Sequence, residues 1–223
     1  MNRYKKAFSL VRDFYKHNFL PVIIMILLCF GITVGADELS DLLISHNLTY
    51  IDYALAVVNM FLQSVLSCTL IFIWYKKKGN AAVFSPLSAI KLFCSMLLVS
   101  LLLAALTVTV IGIPFAVWFF LRLDFYINIF MTSDKNGIVS CIRESFRRTK
   151  GLAKPYLIYN LRYLSFYIVV TTVLILLSTT ASLTGYAAEA MNIVSTVFSA
   201  VFLPYRFLIK CGFYDEFLGQ LES

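Results

Sequence analysis

The chain has 223 residues, of which 60% are hydrophobic and only 14% are charged. Ordinary soluble domains are about 45–50% apolar and about 25% charged, and a soluble domain of this length cannot bury so much apolar surface. The composition therefore excludes a typical soluble domain and predicts an integral membrane protein. The net charge of +7 does not indicate a nucleic-acid partner, because the basic residues lie in short clusters between apolar stretches.

An amphipathic segment, residues 3–17, comes first in the chain. Tyr4, Val11 and Tyr15 recur on one face at helical spacing, and basic residues occupy the other face. Residues 137–150 repeat this pattern. It is typical of an interfacial helix whose basic face contacts anionic headgroups. The candidate contacts with anionic lipid are Lys5, Lys6, Arg12, Lys16, Arg143, Arg147, Arg148 and Lys150.

Six apolar stretches are long enough to cross a membrane as helices, which takes about 17–25 residues. They cover residues 19–36, 51–75, 90–110, 113–131, 156–177 and 187–208. The third and fourth stretches nearly join, and Gly112 and Pro114 mark a turn between them, because glycine and proline interrupt helices. The predicted fold is an all-α integral membrane bundle of six transmembrane helices with cytoplasmic amphipathic interfacial helices, in one domain over residues 1–223.

The orientation follows from the lysines and arginines, which accumulate in cytoplasmic loops. The proposed outer loops, residues 37–50 and 178–186, contain neither residue type, whereas Lys76, Lys77 and Lys78 follow the second stretch. We expect both termini on the cytoplasmic side of a cell (inner) membrane. Cleavage of the first stretch as a signal peptide is the less favoured alternative, because a signal core is only about 7–15 residues long.

The two amphipathic segments also resemble each other in the order of their residues. Each one precedes a proline, Pro21 or Pro155, that opens an apolar stretch. A weaker similarity occurs at Ser88, Ile90 and Lys91 before the third stretch. One interpretation is three modules, each an interfacial helix followed by a transmembrane hairpin. The alternative is convergence, because basic amphipathic helices draw on few residue types.

Polar side chains within the fourth and fifth stretches form a candidate intramembrane cluster. Ionisable residues inside a membrane are costly and usually have partners. Asp124 and Arg162 lie at similar depths from the same edge if their helices are adjacent and antiparallel, so we predict an ion pair with Asn128 or Asn160 nearby. A structural clasp between helices is the favoured interpretation, and a polar site open to the cytoplasm is the alternative. The cluster comprises Arg122, Asp124, Asn128, Asn160 and Arg162.

No catalytic or cofactor pattern occurs in the chain. The two histidines, His17 and His46, are expected on opposite sides of the membrane, and none of the five cysteines forms a CxxC pair. HExxH, GxSxG and P-loop motifs are absent from the sequence. We therefore expect no cofactor, no metal and no enzymatic activity.

Short motifs in the second half carry a family resemblance. They are Ile113-Pro114, Arg122, the loop 133–137, Ser145, Thr149–Gly151, Pro204-Tyr205 and Phe213-Tyr214. From about residue 110 onward the chain resembles a bacterial family of uncharacterised polytopic membrane proteins. That family is related to the membrane domain of some glycerophosphoryl diester phosphodiesterases. The resemblance implies an inner-membrane protein with cytoplasmic amphipathic helices, and it supplies no reaction because the phosphodiesterase domain is absent.

The expected function is that of a non-enzymatic multi-pass membrane protein acting through lipid or protein partners. Anionic headgroups are the expected lipid partner. The alternative is a small transporter whose polar site lies around Arg122, Asp124 and Arg162. An enzyme embedded in the membrane is the third and least favoured possibility.

Overall fold

A computed structural model describes residues 3–45, 49–79, 86–107, 112–132, 137–180 and 186–218. Every regular element in these ranges is an α-helix, so the all-α prediction is confirmed for the described part of the chain. The helices are α1 Arg3–His17, α2 Phe19–Ser45, α3 Thr49–Lys77, α4 Pro86–Thr107, α5 Gly112–Leu123, α6 Tyr126–Thr132, α7 Ile138–Arg148, α8 Ala153–Thr180 and α9 Tyr186–Phe217. The predicted outer-loop residues 46–48 and the loop residues 133–136 lie outside the described residues.

Four helical segments are long and apolar enough to cross a membrane. They are Phe19–Leu43, Val57–Lys77, Pro114–Thr132 and Ile193–Phe217. Helix α4 contributes a shorter apolar stretch, Ala89–Leu102. These helices are compatible with the membrane protein that the composition predicts.

Large apolar side chains remain exposed along the helices. Leu20 is 68% exposed, Leu98 is 66% exposed and Phe166 is 66% exposed. Extensive apolar exposure of this kind marks a surface that meets lipid or another apolar partner rather than water.

The largest fully buried side chains gather at one end of the bundle. Trp74 and Tyr75 come from the end of α3, Phe125 from the α5–α6 junction, Tyr159 from the start of α8 and Phe213 from the end of α9. The rings of Phe125 and Phe213 stack with centroids 5.7 Å apart. Aromatic side chains bury a large area and pack with defined geometry, so this end forms the protein core.

Charged contacts fix the same end. The Asp215 carboxylate accepts hydrogen bonds from Trp74 Nε1 at 2.8 Å and from Lys78 Nζ. The Glu216 carboxylate pairs with Lys6 Nζ at 2.9 Å. The N-terminal helix, the end of α3 and the end of α9 therefore lie together, and the side of the membrane that they face stays a prediction.

Helix α1 crosses α9 at Gly212. A Cβ atom at this position would lie 2.6 Å from the Ala7 carbonyl oxygen and 2.7 Å from Val11 Cγ2. Contacts this short are possible only for glycine, whose missing side chain lets two helix backbones approach closely. Gly212 therefore determines how α1 docks against the bundle.

Substitution Gly212→Ala is expected to destabilise the protein. The atom nearest to the added methyl group belongs to the Ala7 backbone and cannot move without displacing α1, and overpacking of this kind costs about 1–3 kcal/mol. The measurement is the temperature at which the detergent-purified protein loses its monodisperse size-exclusion peak. Gly35→Ala is the matched control, because no atom lies within 4 Å of a Cβ there. Equal losses in both variants would contradict the proposed crossing.

Candidate functional site

The helical path from Gly112 to Thr132 is interrupted at Asp124 and Phe125, between α5 and α6. Carbonyl groups in the last turn of a helix lack helical donors. Here the Ser145 hydroxyl of α7 donates to the Arg122 carbonyl oxygen at 2.5 Å. Helix α7 therefore supplies a hydrogen bond to the end of α5 and packs beside the interruption.

Asp124 occupies the interruption and connects three helical segments. Its carboxylate accepts a hydrogen bond from Lys210 Nζ of α9 at 3.0 Å and another from the Tyr156 hydroxyl of α8. The side chains of Asp124 and Lys210 are only 15% and 6% exposed. The Asn160 side chain hydrogen-bonds to Tyr156 and extends the network along α8. A buried charge needs such a partner, because removing an ion from water is costly.

The predicted ion pair between Asp124 and Arg162 is wrong. Arg162 is exposed, and its guanidinium lies 5.7 Å from the centroid of the Tyr163 ring. Lys210 provides the cation instead. The predicted sixth stretch ends at residue 208 and leaves out Lys210, whereas α9 continues to Phe217. Lys210 follows Arg206 by four residues, so the two side chains lie on the same helix face. This spacing is the sequence signal that could have indicated Lys210.

Asn128 does not join Asp124, although four residues separate them. Its amide nitrogen donates to the Tyr75 hydroxyl at 3.0 Å and to Cys211 Sγ at 3.4 Å. The interruption at Asp124 lies between the two residues, so the spacing of a continuous helix does not apply. Asn128 is fully buried and belongs to the core beside α3 and α9.

Arg122 faces α7 rather than Asp124. Its guanidinium donates to the Phe146 carbonyl oxygen at 3.2 Å and lies 4.9 Å from the Trp118 ring. Both contacts favour a cation, since the carbonyl oxygen and the ring face are electron-rich. The predicted polar cluster is thus divided: Asp124 and Asn160 share one network, whereas Arg122, Asn128 and Arg162 have separate surroundings.

A partly open cavity of about 260 Å³ lies beside Asp124, between α4, α5, α6 and α9. Its charged lining residues are Asp124, Arg206 and Lys210, and its other walls are mainly apolar. Neither Arg206 nor Lys210 is among the residues predicted from the sequence. The site can therefore offer positive charge to a ligand next to an apolar surface.

The candidate lipid contacts are mostly exposed. Five of them, Lys5, Lys16, Arg143, Arg147 and Lys150, lie on the surface of the bundle. Arg12 is also exposed and forms a weak ion pair with Asp13 at 3.7 Å. We call the exposed cations of α1 and the α7 region the basic surface: Lys5, Arg12, Lys16, Arg143, Arg147 and Lys150.

Of the predicted lipid contacts, Lys6, Arg147 and Arg148 pair with buried carboxylates of the protein. Lys6 pairs with Glu216, as described above. The Arg148 side chain is only 13% exposed and donates to the Glu144 carboxylate at 2.7 Å. Arg148 is therefore a structural residue, because a buried guanidinium with a carboxylate partner does not reach a headgroup.

Glu144 orients Arg148, which connects the end of α7 to α9. Its Oε1 accepts hydrogen bonds from Arg147 at 2.6 Å and from Arg148 at 2.7 Å. Arg148 also donates to the Tyr214 hydroxyl of α9 at 3.4 Å. The hydrogen bond from Arg148 is the main cause that lowers the pKa of Glu144, and it outweighs the opposing effect of burial.

Comparisons with protein-family models, curated proteins and solved structures gave no match to this chain. The family resemblance noted from short motifs therefore stays a hypothesis. Several residues of those motifs have structural contacts: Ser145 bonds to Arg122, Tyr214 bonds to Arg148, and the Phe213 ring stacks on Phe125. In the part of the chain that the structure describes, no group of three His, Cys, Asp or Glu side chains could hold a metal ion.

The pair of Asp124 and Lys210 predicts a thermodynamic coupling. Asp124→Asn leaves Lys210 buried without its carboxylate, and Lys210→Met leaves the carboxylate without its cation, so each should cost about 3–5 kcal/mol. The double variant removes both charges and should lose less than the sum of the two, by at least about 1 kcal/mol.

The measurement for this coupling is thermal unfolding of the detergent-purified protein. Arg162→Gln serves as the control, since exposed substitutions usually stay within about 0.5 kcal/mol. Strict additivity of the two losses, or a large loss with Arg162→Gln, would contradict the assigned pairing.

The lowered pKa of Glu144 predicts a pH-dependent contribution to stability. Because the folded pKa lies below the unfolded value of about 4.3, the contribution is present above that value and is lost as the pH falls through the folded pKa. Wild type should unfold at a higher temperature than Glu144→Gln at pH 7, and the difference should shrink as the pH falls from about 4.3. A difference that persists unchanged at pH 3 would argue against an ionised Glu144.

Proposed function

We propose that the chain is a six-crossing protein of the cell (inner) membrane, with both ends in the cytoplasm, that binds anionic lipid without catalysis. Four apolar helical segments support this proposal directly, and α4 and α8 would provide the other two crossings. Helix α8 has 28 residues and a length of about 42 Å at 1.5 Å per residue. The clustering of basic residues at one end favours a cytoplasmic position for that end.

The observation that carries the proposal is the basic surface. Within the described part of the chain, Lys5, Lys16, Arg143 and Lys150 have no carboxylate in contact, although the acidic residues nearby are paired with other cations. Each lysine or arginine near an anionic membrane surface contributes about 1 kcal/mol to binding. A set of exposed cations next to membrane-crossing helices is therefore suited to anionic headgroups.

The positions of these cations are held by specific contacts. Helix α1 docks at Gly212, and α7 is connected to α5 through Ser145 and to α9 through Arg148. Interfacial helices anchored in this way present their charges at a defined place relative to the bundle. The family resemblance, with its cytoplasmic amphipathic helices, agrees with this proposal.

A small transporter is the second candidate. The observation in its favour is the cavity beside Asp124, with charged side chains inside a candidate membrane span. Its polar site would comprise Asp124, Lys210 and Arg206 rather than Arg122 and Arg162. The structural clasp remains the better interpretation of Asp124, because its carboxylate is already bonded to a lysine and a tyrosine and one ion pair does not form a conduction path.

A preference for anionic lipid can be measured by quenching of tryptophan fluorescence. Trp118 is 44% exposed and its ring lies 6.0 Å from Phe146 of α7, whereas Trp74 is buried. Brominated phosphatidylglycerol in nanodiscs should therefore quench Trp118 more than brominated phosphatidylcholine does. The variant Arg143→Gln with Lys150→Gln should lower this preference by roughly fivefold for each charge removed, and added salt should lower it in wild type.

Two comparisons complete this experiment. Quenching by brominated phosphatidylcholine should not change in the variant, because that lipid carries no net charge. Arg162→Gln should keep the preference for phosphatidylglycerol, since Arg162 is an exposed arginine outside the basic surface. Equal quenching by the two lipids in wild type would refute the proposed lipid binding.

A further inference from the structure

Arg206 is a cation within a candidate membrane-crossing segment, Ile193–Phe217. Its guanidinium lies 5.5 Å from the centroid of the Phe120 ring. Arg206 is exposed and forms no ion pair with a carboxylate of the described residues, because Asp124 pairs with Lys210, although the charge of Arg206 also acts on Asp124. A charge inside a membrane is costly and usually meets a partner or a polar ligand.

The cavity beside Asp124 contains an unbalanced positive charge. Asp124, Lys210 and Arg206 all line it. Asp124 pairs with Lys210 at 3.0 Å and also attracts Arg206, so one negative charge faces two cations and one positive charge is left over. An anionic ligand would supply the missing negative charge.

The remaining walls of the cavity are mainly apolar. Met96 and Val99 of α4 line one side, and Phe207 of α9 lines the other. Helix α4 packs mainly against α3 and α5, and the cavity occupies the space between α4 and α9. The opposite face of α4 carries Leu98 and Leu101, which are 66% and 59% exposed. A ligand for this cavity therefore needs both an anionic group and an apolar part.

We propose that this cavity is a specific binding site for one anionic phospholipid, with its phosphate on Arg206 and an acyl chain along the apolar wall of α4. Arginine suits this role because its planar guanidinium offers two parallel N–H donors to phosphate oxygens. Asp124 pairs with Lys210, so Lys210 does not attract a second anion. The site is separate from the basic surface and goes beyond the proposed contacts with the membrane as a whole.

Native mass spectrometry of the full detergent-purified chain tests the site, with equal amounts of phosphatidylglycerol and phosphatidylcholine as probes. Wild type should retain one phosphatidylglycerol molecule in preference to phosphatidylcholine. Arg206→Gln should weaken this retention about tenfold, since a charge-assisted bidentate contact is lost. Arg162→Gln is the matched control, because Arg162 is an exposed arginine outside the cavity.

Met96→Trp gives a second test that leaves every charge in place. It fills the cavity from the α4 side and should also weaken phosphatidylglycerol retention, so the proposal is testable even if Arg206→Gln does not fold. The variant Arg143→Gln with Lys150→Gln should retain the bound lipid. This result separates a failure of the cavity site from a failure of the basic surface.

The proposal would be overturned by either of two results. Equal retention in wild type and Arg206→Gln would show that Arg206 extends to the membrane surface instead of binding a ligand. Binding of inorganic phosphate that depends on Arg206, without retention of phosphatidylglycerol, would assign the cavity to a soluble anion.

Discussion

The ion pair between Asp124 and Lys210 is the contact on which the arrangement of the helices depends. Both side chains are largely removed from water, so each one is tolerated only while the other is in place. The pair connects the α5–α6 interruption to α9, and Tyr156 connects the same carboxylate to α8. Three segments that are distant in sequence are thereby fixed at one level of the bundle. The cavity next to the pair is a consequence of this arrangement, because the interruption places Asp124 between α4 and α9.

The packing at this end explains why the protein has a core although large apolar side chains are exposed along its helices. Association of helices in a membrane gains little from burial of apolar surface, so close approach and polar contacts carry more of the stability. Gly212 provides the close approach between α1 and α9. The polar contacts come from the next residues of α9, where Asp215 bonds to Trp74 and Glu216 bonds to Lys6. The last turns of α9 therefore pack against both α1 and the end of α3.

The helices could be predicted from the sequence because their patterns are local. The amphipathic segment 3–17 coincides with α1, Arg3–His17, since its apolar face has helical periodicity. The partners of charged side chains were harder to predict. Hydropathy ended the sixth stretch at residue 208, but α9 continues into a region where protein, not lipid, surrounds it, and Lys210 belongs to that continuation. The interruption at Asp124 and the close approach at Gly212 depend on distant segments, so no local pattern could indicate them.

The distribution of charge connects the fold with the proposed function. The chain carries 19 basic and 12 acidic residues, a surplus of seven positive charges. At the packed end, the carboxylates of Asp124, Glu144, Asp215 and Glu216 are each paired with a lysine or arginine of the protein. Basic residues in these pairs are not free to bind another anion. Among the cations outside the pairs, several lie on the basic surface, and Arg206 lies beside the cavity. A membrane with anionic lipid offers the compensating charge at both places, as headgroups around the basic surface and as one ligand for Arg206.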